Sequence, residues 1–190
     1  VLPEDLSYEP GYEDSLEGRA AREGISVREA LMDAMADGRP ILYLFGDYDY
    51  TVQPQFDFIS RDRSVFGLSD GGAHVGVLCD ASVPTYMLAY ATRDRIKGPQ
   101  LPLEFVIHKM SQDTAGVYGL TDRGVIAKGY KADLNVIDYD KIRLHDPEMV
   151  FDLPSGGKRL IQKADGYIAT ICGGVVTYEN GVHTGQMPGR

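Results

Sequence analysis

The sequence predicts an α/β region followed by antiparallel β structure. Helix-like and strand-like runs alternate through the first part, the order expected of βα units around a parallel sheet. After "GVYGLTDRG" the texture changes to short strand-like runs separated by glycine and turn dipeptides. Among those dipeptides, Gly173-Gly174 and Asn180-Gly181 are signals for tight hairpin turns. The change falls near 123–129 and divides the chain into residues 1–124 and 125–190.

The elements follow in order. The first twenty or so residues are polar, carry Pro3, Pro10 and Gly11, and read as loop. "SVREALMDAMADGRP" opens with Ser26 and Glu29 at capping-box spacing, where each side chain accepts from a free backbone N–H. Val27, Ala30, Leu31, Ala34 and Met35 share a helix face, and Gly38 with Pro40 marks its end. "ILYLF", from Ile41, is short and continuously apolar, the pattern of a strand buried on both faces. A helix is expected around "QPQFDFISRD", then a strand at "SVFGLS". The next helix begins near Pro84, runs through "YMLAYATRDRI" and is broken at Gly98-Pro99. Pro102 starts another, "LEFVIHKM". Beyond the boundary, "ADLNVID", "KRLIQ", "YIATIC" and "VVTYENG" read as strands.

Composition narrows the function classes. With 190 residues the chain can fill one sizeable core or two small domains. Its 43% hydrophobic and 25% charged content is ordinary for a soluble globular protein. A net charge of −9 argues against nucleic acid or an anionic membrane as partner, because phosphates need Lys and Arg opposite them. No apolar run approaches the ~20 residues that span a bilayer. "VLPEDLSYEP" has neither the basic start nor the apolar core of a signal peptide. Cys79 and Cys172 make neither a disulfide framework nor a metal pair by spacing, which points to a reduced, cytoplasmic compartment.

The segment with most chemical content is "FGLSDGGAHVG". Asp70 is placed at the carboxyl end of an expected parallel strand, the edge where α/β proteins gather their active sites. Gly71 and Gly72 would let the backbone turn and a ligand approach closely, and His74 would share the rim. A carboxylate that merely caps the next segment explains Asp70 equally well on position alone. The other histidines, His108, His145 and His183, are scattered, with no H-x-H and no HExxH. They offer no convincing set of the about three protein ligands that a catalytic zinc needs. His108 reads as a core or edge residue of its helix, and His145 and His183 read as surface residues. "SGGKRL" lacks the first glycine and the following helix of a phosphate loop. Neither cysteine has a basic flank to activate a thiolate.

"GLSDGGAHVG", "LPLEFVIHKMSQDTAGVYGLTDRGVIAKGYKADLNVID" and "ATICGGVVTYENG" together resemble the carboxyl-terminal part of the amidohydrolase superfamily, in its D-aminoacylase (N-acyl-D-amino-acid deacylase) branch. The resemblance extends over nearly the whole chain. It implies an α/β fold: the last βα units of a metal-dependent hydrolase (β/α)₈ barrel over 1–124, then antiparallel strands of an accessory β-sandwich over 125–190. It implies a zinc-dependent hydrolase of N-acyl-D-amino-acid amides, a small-molecule substrate, and Asp70 as the general base. Asp70 is also a candidate metal ligand, and Gly71, Gly72 and His74 are candidates for substrate contact. The metal-binding H-x-H and the other zinc ligands of the family have no counterpart here. The resemblance therefore implies a carboxyl-terminal fragment, inert alone, that orders as a homo-oligomer or beside a complementary amino-terminal part. Hydrolysis of a cyclic amide or another C–N bond, and a non-catalytic binding or assembly role on the same scaffold, are the alternatives.

Overall fold

The computed structural model describes residues 7–37, 50–66 and 71–189. The chain divides into two units, Val1–Arg61 and Asp62–Arg190.

In the first unit, helix α1 (Leu16–Glu23) occupies a stretch expected to be loop. The correction has a local cause. Ser15 accepts a hydrogen bond from the Gly18 amide at 2.9 Å, and Gly24 closes the helix at φ +67°, so both ends are capped. High overall polarity hides this helix in a composition reading. Helix α2 (Val27–Ala36) carries the expected capping box, with Glu29 accepting from the Ser26 amide at 2.8 Å and Ser26 from the Glu29 amide at 3.2 Å. Of its expected apolar face, Ala30 and Ala34 are buried, whereas Val27 and Met35 are largely exposed. Small residues set the close approach: Arg19 of α1 donates to the Ala30 carbonyl at 3.3 Å. Helix α3 (Gln53–Ile59) falls where expected. Glu9, almost wholly buried, accepts from the Thr51 hydroxyl and the Val52 amide, both at 2.8 Å, at the start of α3. The expected strand "ILYLF" and the Gly38–Pro40 helix end lie outside the described residues.

In the second unit, residues 64–66 form no strand; the rest of the expected strand "SVFGLS" lies outside the described residues. Helix α4 (Val83–Tyr86) passes directly into a π-helical stretch, Met87–Asp94. Here the Arg95 amide bonds back to the Tyr90 carbonyl at 3.0 Å, and the turn buries Met87, Leu88, Ala89 and Ala91. Helix α5 (Leu103–His108) begins after Pro102, continues as π-helix over Lys109–Asp113, and ends in α6 (Thr114–Val117). His108 is not a core residue: its side chain is 54% exposed and lies 3.2 Å from the Asp113 carboxylate.

Strands follow from Leu134. Strands β1 (Leu134–Ile137), β6 (Tyr167–Cys172), β7 (Val175–Glu179) and β8 (Val182–His183) form one sheet in the order β1-β6-β7-β8. Two further pairs are β2 (Arg143–Leu144) with β5 (Ala164–Asp165), and β3 (Glu148–Leu153) with β4 (Gly157–Ile161). Every strand pair among the described residues is antiparallel, so the parallel pairing expected of the first part is not found there.

Both hairpin signals hold. Gly173 and Gly174 take φ +55° and +81°, and Asn180 and Gly181 take +48° and +79°. Two central residues at positive φ meet the type I′ requirement, whose twist matches the flanking strands. "SGGKRL" is a third hairpin, β3 to β4, turning at Ser155 and Gly156 with Arg159 paired to Asp152 at 2.6–2.8 Å. The helical part thus gives way to strands between Val117 and Leu134, inside the second unit.

That transition is carried by the "DRG…ADL" run. The Lys131 amide donates to the Asp122 carbonyl at 2.7 Å, and Arg123 reaches both Asp122 (3.1 Å) and Asp133 (3.4 Å). Asp133 in turn accepts from the Gly173 amide at 2.8 Å, which ties the entry of β1 to the β6–β7 turn. The guanidinium of Arg123 hydrogen-bonds Asp122 and holds its carboxyl below the usual range.

Candidate active site

The residues after Asp70 run along one wall of a cleft. Gly71, Gly72 and Ala73 meet the short turn Asp80–Ser82 and the start of α4, and the opposite wall comes from β2, β4 and β5. The cavity is about 430 Å³. The loop is held to the strand wall by one backbone bond, Leu160 amide to Val75 carbonyl, at 2.8 Å.

At the cleft's floor the polar groups are matched to one another. Gln162 Oε1 accepts from the Ser82 hydroxyl at 2.5 Å and from the Cys79 thiol at 3.7 Å. Its Nε2 donates to the His145 carbonyl at 2.8 Å. Thr85 and Tyr167 share a hydroxyl–hydroxyl bond of 2.8 Å. Burial, and then the neighbouring Asp80 carboxylate, push the Cys79 thiol up, away from the thiolate a nucleophile would need.

The two glycines serve the cleft differently from the expected turn. Neither is at positive φ. A Cβ on Gly71 would lie 2.9 Å from the Ala81 Cβ, and one on Gly72 would lie 2.5 Å from Val75 Cγ2. The small size of Gly71 lets the loop press against the turn Asp80–Ser82, and that of Gly72 makes room for Val75 within the loop.

Of the sequence-derived site residues, Gly71 and Gly72 line the cleft. His74 is exposed and is not among the lining residues. Asp70 lies outside the described residues. His145 and His183 are on the surface, His145 paired with Asp165 at 2.9 Å and His183 edge-on to Tyr178. Among the described residues no group of three or more His, Cys, Asp or Glu stands together to hold a metal ion. The described residues therefore do not fit the zinc that the resemblance implies.

Ser82, Thr85 and Gln162 were not legible as cleft residues. Ser82 and Gln162 are 80 positions apart, and nothing local to either marks the pairing.

The model of the Amidohydrolase family matches residues 26–178. A solved structure described as "Crystal structure of D-aminoacylase defines a novel subset of amidohydrolases" is similar at 27% identity and a TM-score of 0.52. The similarity covers 90% of this chain and 32% of that one, so the chain spans about a third of the length of the solved relative. No curated protein matches. The family match takes in the cleft loop, both π-helical stretches, the "DRG…ADL" run and most of the β structure, and by it the chain belongs to the Amidohydrolase family.

Proposed function

We propose that this chain carries the general base of a hydrolase acting on the amide bond of N-acyl-D-amino acids. The observation that supports the reading most is the family match over 26–178 joined to the likeness with D-aminoacylase. The "SDGGAH" segment lies within that match, and its glycines line the cleft.

In this reading Asp70 accepts a proton from the attacking water as the water oxygen bonds to the amide carbonyl carbon. The proton then passes to the departing nitrogen as the C–N bond breaks. One water and one amide give a carboxylic acid and a free D-amino acid. A zinc ion held by residues other than the described ones would supply polarisation of the carbonyl and a lower pKa for the water. The described residues offer no ligand set for it, so its ligands are assigned to other residues and no step here runs through it. His74 contacts substrate at the exposed rim. The reading places residues 1–124 in the last units of a (β/α)₈ barrel and 125–190 in a β-sandwich, in a cytoplasmic enzyme that assembles with further chain or further copies. Turnover is assigned to a protein of the relative's length, with these 190 residues inert alone.

Release of free D-amino acid from N-acyl-D-amino acids tests the reading, in the intact protein and in its Asp70→Asn variant. The amide keeps the shape but accepts no proton, and kcat should fall about 10²–10⁴-fold with the far-UV circular dichroism unchanged. A variant that keeps a tenth of the wild-type rate refutes the role of Asp70. An intact protein that hydrolyses no N-acyl-D-amino acid refutes the substrate.

A further inference from the structure

Lys109 is nearly buried, at 5% exposure, yet its side chain ends in an amine. Placing such a group inside a protein is unfavourable unless it is matched by close partners. Its Nζ donates to the carbonyl of Ser64 at 2.7 Å, a residue itself 8% exposed. Asp113 Oδ2 lies 3.6 Å away, and the Phe105 ring lies beneath the Nζ at 5.6 Å. Two residues further along the same segment, the carbonyl of Phe66 accepts from the Thr114 hydroxyl at 3.4 Å. That hydroxyl also reaches the Lys109 carbonyl at 2.9 Å. Thr114 follows Lys109 by five positions, so its side chain serves a carbonyl at the start of the π-helical stretch Lys109–Asp113.

The π-helical stretch explains the spacing. One wider turn brings Lys109 and Thr114 to bear on carbonyls 64 and 66. Such bulges are rare and occur frequently at functional sites. The "DRG" turn backs the same stretch. Gly124, at φ +84°, sits so close that a Cβ would lie 2.9 Å from the Ser111 carbonyl oxygen and 3.0 Å from the Gln112 Cα.

We propose that Lys109 and Thr114 are positioning residues for the proposed base: they clamp carbonyls 64 and 66, and Asp70 follows Phe66 by four positions in the sequence. The functional half of this proposal rests on the reading of Asp70 given above. The clamp itself does not.

The test is amide hydrogen exchange and steady-state kinetics on the intact protein, comparing wild type with Lys109→Met, Lys109→Arg and Thr114→Val. Lys109→Met retains the length and packing of the side chain and removes the donor. Exchange over residues 65–76 should accelerate about tenfold or more, the scale of a lost hydrogen bond from a charged donor. Exchange in α1 and α2 should be unchanged. In kinetics kcat should fall about tenfold or more while KM stays within about twofold. Lys109→Arg, which keeps a donor, should recover most of both effects, and Thr114→Val should show a smaller version of each. Unchanged exchange over 65–76 in folded Lys109→Met overturns the clamp. Faster exchange with wild-type kcat overturns the positioning role. A wild-type protein without hydrolase activity sinks the reading of Asp70 and with it the functional half, while the exchange comparison still decides the clamp. Should Lys109→Met not fold, the exchange and the kcat of Thr114→Val decide the clamp and the positioning role in the same way.

Discussion

Substituting Gly71 by alanine tests whether the cleft loop is held by close packing. The added Cβ would lie 2.9 Å from the Ala81 Cβ and 3.5 Å from its Cα. Carbon atoms pack best at about 3.5–4.0 Å, so the two methyl groups overlap by roughly half an ångström or more. Neither alanine has a rotamer with which to escape, so the backbone has to move. The loop is pinned by the Leu160–Val75 bond of 2.8 Å, and the turn is pinned by Ser82 on Gln162. Overpacking of this kind costs about 1–3 kcal/mol. Gly71 is not at positive φ, so alanine also restricts the unfolded chain and returns about 0.4–1 kcal/mol. The expected net loss is about 1–2 kcal/mol.

The compensating change is Ala81→Gly, which removes the clashing methyl and alone costs about 0.5–1 kcal/mol in backbone entropy. In the double variant the overlap disappears. Urea unfolding followed by far-UV circular dichroism on wild type, both single variants and the double variant closes the cycle. The coupling should equal the overpacking cost, about 1–3 kcal/mol in favour of the double variant, with the urea dependence unaltered. Effects that add within about 0.5 kcal/mol would refute the reasoning, because they would mean that Gly71 and Ala81 do not touch.

Gly166→Ala should lose about 2–5 kcal/mol of stability, since at φ +93° its Cβ would lie 2.5 Å from the Cα of fully buried Ile142. Gly185→Ala, at φ +86° with open space around it, should lose only about 1–2 kcal/mol, and equal losses at both would refute the clash. Asp165 is held below the usual carboxylate range by hydrogen bonds first from His145 and then from Arg143. Its pairing therefore stabilises the β2–β5 pair above the unfolded carboxylate pKa of about 3.9, and that contribution is lost as pH falls through the lower folded value. A carboxyl carbon titration by nuclear magnetic resonance should place the Asp165 midpoint below that range and move it upward in His145→Ala; an unmoved midpoint would remove His145 as the main cause.

How much of the fold is legible in the sequence depends on whether the signal is local. The capping box of α2 and the Gly173-Gly174 and Asn180-Gly181 turns are legible because a few adjacent residues determine each one. Helix α1 is hidden because its caps, Ser15 and Gly24, sit in a polar stretch whose burial is confined to Gly18 and Ala20. The short strands β2 and β5 have two residues each and no pattern of their own. They exist because Arg143 and Leu144 face Asp165 and Ala164, a pairing fixed by Gly166 closing on Ile142. The π-helical stretches leave no trace either, because side-chain periodicity averages over one inserted residue.

The cleft shows the same division more sharply. "SDGGAH" draws attention by composition, and its glycines do line the cavity, but their reason for being glycine lies ten residues away, in Ala81 for Gly71. The strand wall is legible only in part: "KRLIQ" reads as a strand and is largely β4, but Gln162 at its end is an ordinary polar residue until Ser82, Cys79 and the His145 carbonyl surround it. Lys109 is the converse case. In "LEFVIHKM" the sequence draws attention to His108 as a core or edge residue, yet the histidine is exposed and the lysine beside it turns inward to carbonyl 64. Neighbouring residues on a helix point about 100° apart, so the two side chains meet different surroundings. Lys109 and the Ser64 carbonyl lie 45 positions apart, and only the folded chain brings them together.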